Sequence, residues 1–109
     1  AVLTGSDHLV APHLIQPEVA NVLRRAVGRG RIGELEAGMA HQDLRDLPLE
    51  LWPYDAVADR VWELRENLSA YDACYVALAE LLAAPLATGS RRLAGAPGLR
   101  CELLVPPSD

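Results

Sequence analysis

The sequence predicts an α/β domain with a mainly parallel sheet. Short apolar strands alternate with longer helical segments along the chain, the pattern that builds parallel sheets. The length, 109 residues, suits one domain, since domains cluster at roughly 100–150 residues. Half the residues are hydrophobic, so a core can form; with two Trp, three Tyr and no Phe, it must be built mainly from Leu, Val and Ala.

The elements follow in order. His8-Leu9-Val10-Ala11-Pro12 reads as a short strand that Pro12 stops. Pro17 opens a helix at a first-turn position, where its missing N–H costs little. Val19, Val22, Leu23, Ala26 and Val27 make one apolar face of that helix, and Gly28 and Gly30 end it. A second helix runs from about Ile32 to Leu44 on a stripe of Ile32, Leu35 and Met39, and Pro48 stops it. Leu49-Glu50-Leu51-Trp52 alternates as a strand. Residues 54 to 67 read as one helix through Val57, Val61, Leu64 and Leu68. Ser69 opens a helix to about Ala84. Leu86 to Thr88 is a short buried strand, Arg91 to Ala94 a helical turn, 96–98 a turn, and Cys101 to Val105 a last strand.

The bulk numbers exclude several classes. A net charge of −5 argues against a broadly basic nucleic-acid coat, though a local basic patch remains compatible. Cys74 and Cys101 have neither C-x-x-C spacing nor a nearby His, so they read as reduced thiols, as in a cytoplasm. There is no apolar run of ~18 residues to span a membrane, and 1–6 do not read as a signal peptide. Gly28-Arg29-Gly30-Arg31-Ile32-Gly33 matches a dinucleotide fingerprint by letter, but it follows a helix rather than a strand and so reads as a helix cap. His8, His13 and His41 lack metalloprotease spacing, and no G-x-S-x-G elbow is present.

Two carboxylates stand out. In parallel sheets, ligands bind beyond the carboxyl ends of strands, near the first turns of the following helices. Asp72 opens a helix whose only other charge, from Ala70 to Leu82, is Glu80. A helix apolar on all sides is buried, and a carboxylate there must be paired, hydrogen-bonded or metal-bound. The bland reading is a capping box from Ser69 to Asp72. Glu18 lies in the first turn of an earlier helix, with Asn21 on the same face. It reads either as a dipole complement or, with Asp72, as part of an acidic cluster for Mg2+ or Mn2+. Arg24, Arg25, Arg29 and Arg31 form the main basic cluster, either a solvated face or a set of phosphate contacts.

Pro17-Glu18-Val19-Ala20-Asn21-Val22-Leu23-Arg24-Arg25 resembles the second conserved block of VapC-type PIN-domain toxins. The long stretch from Trp62 through Asn67-Leu68-Ser69-Ala70-Tyr71-Asp72-Ala73-Cys74-Tyr75 to Glu80 resembles their third block, nearly residue for residue. The likeness extends to 97–101. It implies a three-layer α/β/α PIN-like domain covering residues 1–109 and the toxin component of a type II toxin–antitoxin system. It implies a ribonuclease, a hydrolase of RNA phosphodiester bonds, with Glu18 and Asp72 as the acids that hold Mg2+ or Mn2+. The cation would lower the pKa of the water nucleophile. Asn21, Thr88 and Ser90 become candidate polar neighbours, and Arg24, Arg25 and Arg91 candidate contacts to RNA or antitoxin. The implied partners are a cognate antitoxin, RNA and a second copy of the chain. The antitoxin groove is expected on the first two helices, through Leu23, Val27 and Leu35.

The sequence departs from the family at two places. The family's first strand, which is apolar and ends in Asp, does not precede His8; its loss would expose neighbouring strand edges, and residues upstream of Ala1 are expected to supply it. In Thr88-Gly89-Ser90-Arg91-Arg92-Leu93, Ser90 stands where the family has a further Asp. The alternative expectation is therefore a catalytically weakened or inactive PIN-like module that binds an antitoxin or dimerises.

Overall fold

The computed structural model describes residues 2–4, 8–88, 93 and 95–105. These fall into two compact units, one formed by residues 1–13 with 49–109 and the other by residues 14–48.

The first unit holds the sheet. Its strands are β1 (Val2–Thr4), β2 (Leu9–Pro12), β3 (Leu49–Trp52), β4 (Leu86–Ala87) and β5 (Leu103–Leu104), in the order β3-β2-β1-β4-β5. β2 pairs parallel with β3 from Leu9↔Leu49 to Pro12↔Trp52, and β4 pairs parallel with β5. β1 pairs antiparallel with β2 and with β4. Four strands thus share one direction and β1 alone opposes them, so the sheet is mainly parallel, as the sequence predicts.

The strand β1 corrects one expectation. The sequence reading places no strand ahead of His8 and leaves the neighbouring edges open. Instead, residues 2–4 lie between β2 and β4 and pair with both. Three residues are too few to display a period, so tertiary pairing rather than local pattern makes this strand.

The first unit also holds α3 (Ala58–Glu63) and α4 (Ala70–Leu81). α4 packs on β1, β2 and β4 and against α3. Its residues from Ala73 to Ala79 are all buried, which explains why its sequence is apolar all round. With Val10, Ala11, Val61, Leu64 and Leu86 they form the core; each large aliphatic side chain so buried contributes about 1.5–3 kcal/mol. α4 is capped at both ends. Ser69 Oγ accepts from the Asp72 N–H at 3.2 Å. At the other end Ala83 adopts a left-handed φ of 50°, with Ala84 N–H donating to Ala79 O and Ala83 N–H to Glu80 O, the two bonds of a Schellman motif.

Residues 54–67 differ from the single helix expected. A 3-10 turn, Tyr54–Ala56, precedes α3, and turns follow it. Val57 breaks the run at φ −125°. The break accompanies burial of Val57, Val61 and Leu64; packing has overridden propensity here.

The second unit pairs α1 (Ile15–Gly28) with α2 (Glu34–Asp46). α1 ends in a second Schellman motif: Gly30 sits at φ 70°, Arg31 N–H donates to Ala26 O and Gly30 N–H to Val27 O. The glycine-rich stretch is therefore a helix cap, as read from the sequence. The expected α2 stripe is not a core face. Leu35 is 78% exposed and Met39 61%, while Ala37, Ala40 and Leu44 are half-buried.

Candidate functional site

Asp72 lies in the first turn of α4, half-exposed, where the helix N-terminus favours a negative charge. The seven residues after it are buried, so its backbone is held by the core. In the same unit, Thr88 follows β4, is 7% exposed, and donates its N–H to Leu104 O at 2.9 Å. β5 thereby fixes the chain just past the carboxyl end of β4.

Glu18 belongs to the other unit. It is the first-turn acid of α1 and half-exposed. Asn21, Arg24 and Arg25 are exposed on the same helix, and the structure brings two of them together: Arg24 Nε donates to Asn21 Oδ1 at 2.9 Å. Arg25 lies in the last turn, where it complements the helix dipole. Ser90 and Arg91 lie outside the described residues. Among the described residues, no three or more His, Cys, Asp or Glu side chains are gathered as a metal cluster.

A groove of about 250 Å³ in the second unit is lined by Leu23 and Val27, as expected, with Ala37 and His41 on α2. Leu35, the third residue expected there, is not among its lining residues.

Sequence reasoning missed a polar cluster of the first unit. Glu80 accepts from Arg60 Nε at 2.6 Å, from Arg60 Nη2 at 3.2 Å and from the Arg100 N–H at 2.7 Å. Arg60 Nη2 also donates to Gly98 O at 2.8 Å, and Nη1 to Glu63 at 3.2 Å. Burial pushes the Glu80 carboxyl up, but Arg60 and the Arg100 N–H outweigh it and hold the group below the ordinary carboxylate range. A half of this was visible in the sequence: a second lone charge in an apolar helix needs a partner. Its partner, twenty residues earlier on another helix, has no local signature. Beside it, the half-buried Cys101 thiol is pushed up by burial and then by the Glu80 charge. Neither Cys74 nor Cys101 is in a disulfide, as expected. No described helix is long and apolar enough to cross a membrane.

Comparison with known proteins gives the family. The PIN domain family pattern matches residues 1–99. A VapC ribonuclease of Mycobacterium bovis is 41% identical over 105 residues, which cover 96% of this chain and 83% of that protein. Ribonuclease VapC1 of Mycobacterium tuberculosis is 47% identical over 94 residues, covering 85% of this chain and 71% of that protein. Ribonuclease VapC12 of the same species is 36% identical over 93 residues, covering 85% and 72%. With its α/β sheet, its acid-bearing first turns and these relatives, the chain belongs to the VapC-type ribonucleases of the PIN domain family.

Proposed function

We propose that this chain is the ribonuclease toxin of a type II toxin–antitoxin pair, and that Glu18 and Asp72 hold its divalent cation, Mg2+ or Mn2+. Asp72 is the observation that carries the reading. It is a half-exposed carboxylate on the first turn of a helix whose next seven residues are buried. The relatives of this chain are named ribonucleases, which supplies the reaction class.

The donor set suits a hard cation. Both candidate ligands offer only oxygen, and Mg2+ is commonly held by one or two carboxylates with waters and substrate phosphates completing its shell. When bound, such an ion supplies Lewis acidity at the phosphodiester and lowers the pKa of its water. The residues of the chain do the rest. Ser69 caps α4 and fixes the turn that carries Asp72. Thr88 and Ser90 are proposed as polar neighbours. Arg24, Arg25 and Arg91 are proposed to hold phosphates, positioning RNA without reading its sequence. The groove on α1 and α2 is proposed for a helical antitoxin segment. A homodimer, a cytoplasmic setting and one PIN-like domain over residues 1–109 complete the reading.

The test is RNA cleavage with Mg2+ or Mn2+ by the wild-type chain, Glu18→Gln and Asp72→Asn. Losing an outer partner of a metal site costs roughly 10–100-fold, so losing a ligand should cost at least that much. Equal cleavage by Asp72→Asn and wild type would sink the assignment. Ser90, standing where the family has Asp, favours a second reading, an inactive module that binds antitoxin. That reading predicts a stable complex with an antitoxin peptide and no heat of Mn2+ binding.

A further inference from the structure

The first unit leaves two aromatic rings in water, one of them on the residue next to Asp72. Tyr71, its immediate neighbour in the first turn of α4, is 64% exposed, and Trp62 on α3 is 66% exposed, whereas Tyr75, one turn on, is buried. Rings so exposed contribute little to the core, although aromatics are the largest apolar side chains available. The Trp62 ring also carries a cation on its face. Arg65 Nη1 donates to Trp62 O at 2.8 Å, and its guanidinium carbon lies 4.7 Å from the ring centroid, a cation–π stack.

We propose that Tyr71 stacks on a nucleobase of single-stranded RNA beside the phosphodiester presented to Asp72, with the Trp62–Arg65 stack as a second platform. This rests on the ribonuclease reading above. Tyr71 and Asp72 are consecutive in the first turn of α4, and neighbouring side chains point about 100° apart around a helix, so the ring and the carboxylate open on adjoining faces of the same helix end. Trp62 offers an aromatic face with one guanidinium on it rather than a basic track for the phosphate backbone, so recognition there falls on base faces. Every base has such a face, which makes the contact tolerant of sequence; duplexed bases are already stacked on one another and are excluded.

The test measures binding of a short single-stranded RNA carrying 2-aminopurine, whose fluorescence falls on stacking, in EDTA so that cleavage does not intervene. Tyr71→Ala should weaken binding roughly 5- to 150-fold, the range for loss of one base–aromatic stack. Tyr71→Phe should bind like wild type, because the ring and not the hydroxyl makes the contact. Unchanged binding by Tyr71→Ala, or duplex RNA bound as tightly as single strands, overturns the inference. So does a Tyr71→Ala variant whose solution mass falls while its RNA binding holds, since the ring then packs against a second copy. If Asp72→Asn abolishes cleavage while Tyr71→Ala binds normally, only the stacking inference fails. If the wild-type chain neither binds nor cleaves RNA, the ribonuclease reading itself fails.

Discussion

Removing Glu80 tests whether the Arg60 pair holds the first unit together. The carboxylate accepts three hydrogen bonds at 2.6, 2.7 and 3.2 Å, and the side chains of Arg60 and Glu80 are only 19% and 10% exposed. A hydrogen bond to a charged group contributes about 1.5–3 kcal/mol, and orphaning a buried partner adds to the loss. Breaking a fully buried ion pair costs about 3–5 kcal/mol. Here Arg60 keeps Gly98 O and Glu63, so Glu80→Ala should cost about 2–4 kcal/mol. For a chain of this size that lowers Tm by roughly 10–20 °C. Glu80→Gln keeps one acceptor oxygen and should lose about half as much.

Urea and thermal unfolding followed by circular dichroism measure this, at neutral and at acid pH. The folded carboxyl lies below its ordinary range, so its stabilisation is fully present above the unfolded value of about 4.3. It is lost as pH falls through the lower folded value. The gap between wild type and Glu80→Ala should therefore be wide at pH 7 and close in acid. A gap under about 0.5 kcal/mol at pH 7 is the size of an ordinary surface change and would refute the reasoning, as would a gap that does not depend on pH.

Two further substitutions probe the ends of α4. Ala83→Gly should stabilise the chain by about 0.5–1 kcal/mol, because an L-residue in the left-handed region costs about 1–2 kcal/mol and glycine returns part of that as unfolded-chain entropy; a lower urea midpoint would count against it. Ser69→Ala should destabilise by about 1 kcal/mol through loss of the cap to Asp72 N–H, and should also reduce RNA cleavage; unchanged unfolding would show that the cap is dispensable.

The readable parts of this protein were those with local causes. α4 announced itself by an unbroken apolar run with a capping residue ahead of it. The Gly28–Gly33 stretch announced a helix end because it followed a helix, and Gly30 supplies the positive φ there. β3 was readable over Leu49–Trp52 from alternation alone. The misses have non-local causes. β1 exists because two distant strands flank it. The break at Val57 accompanies burial that no propensity reports. Leu35 and Met39 have apolar spacing yet face water. At the candidate site, Asp72 stood out because a lone carboxylate in an apolar helix needs a reason. The partnership of Glu80 with Arg60 stayed hidden because it joins two helices.

The place of β1 bears on how the chain reaches its native state. Leu3 pairs with Leu86, more than eighty residues further on, so the sheet cannot close until β4 is available to β1. The pairs β3-β2 and β4-β5 can each form first, and β1 then joins them through backbone bonds at three residues. Contacts of such long sequence separation are slow to form, because the entropy of closing the loop is lost before the pairing offsets it. Folding of the sheet should accordingly be limited by this last junction, and during synthesis the β4 side of β1 must wait, unpaired, for its partner.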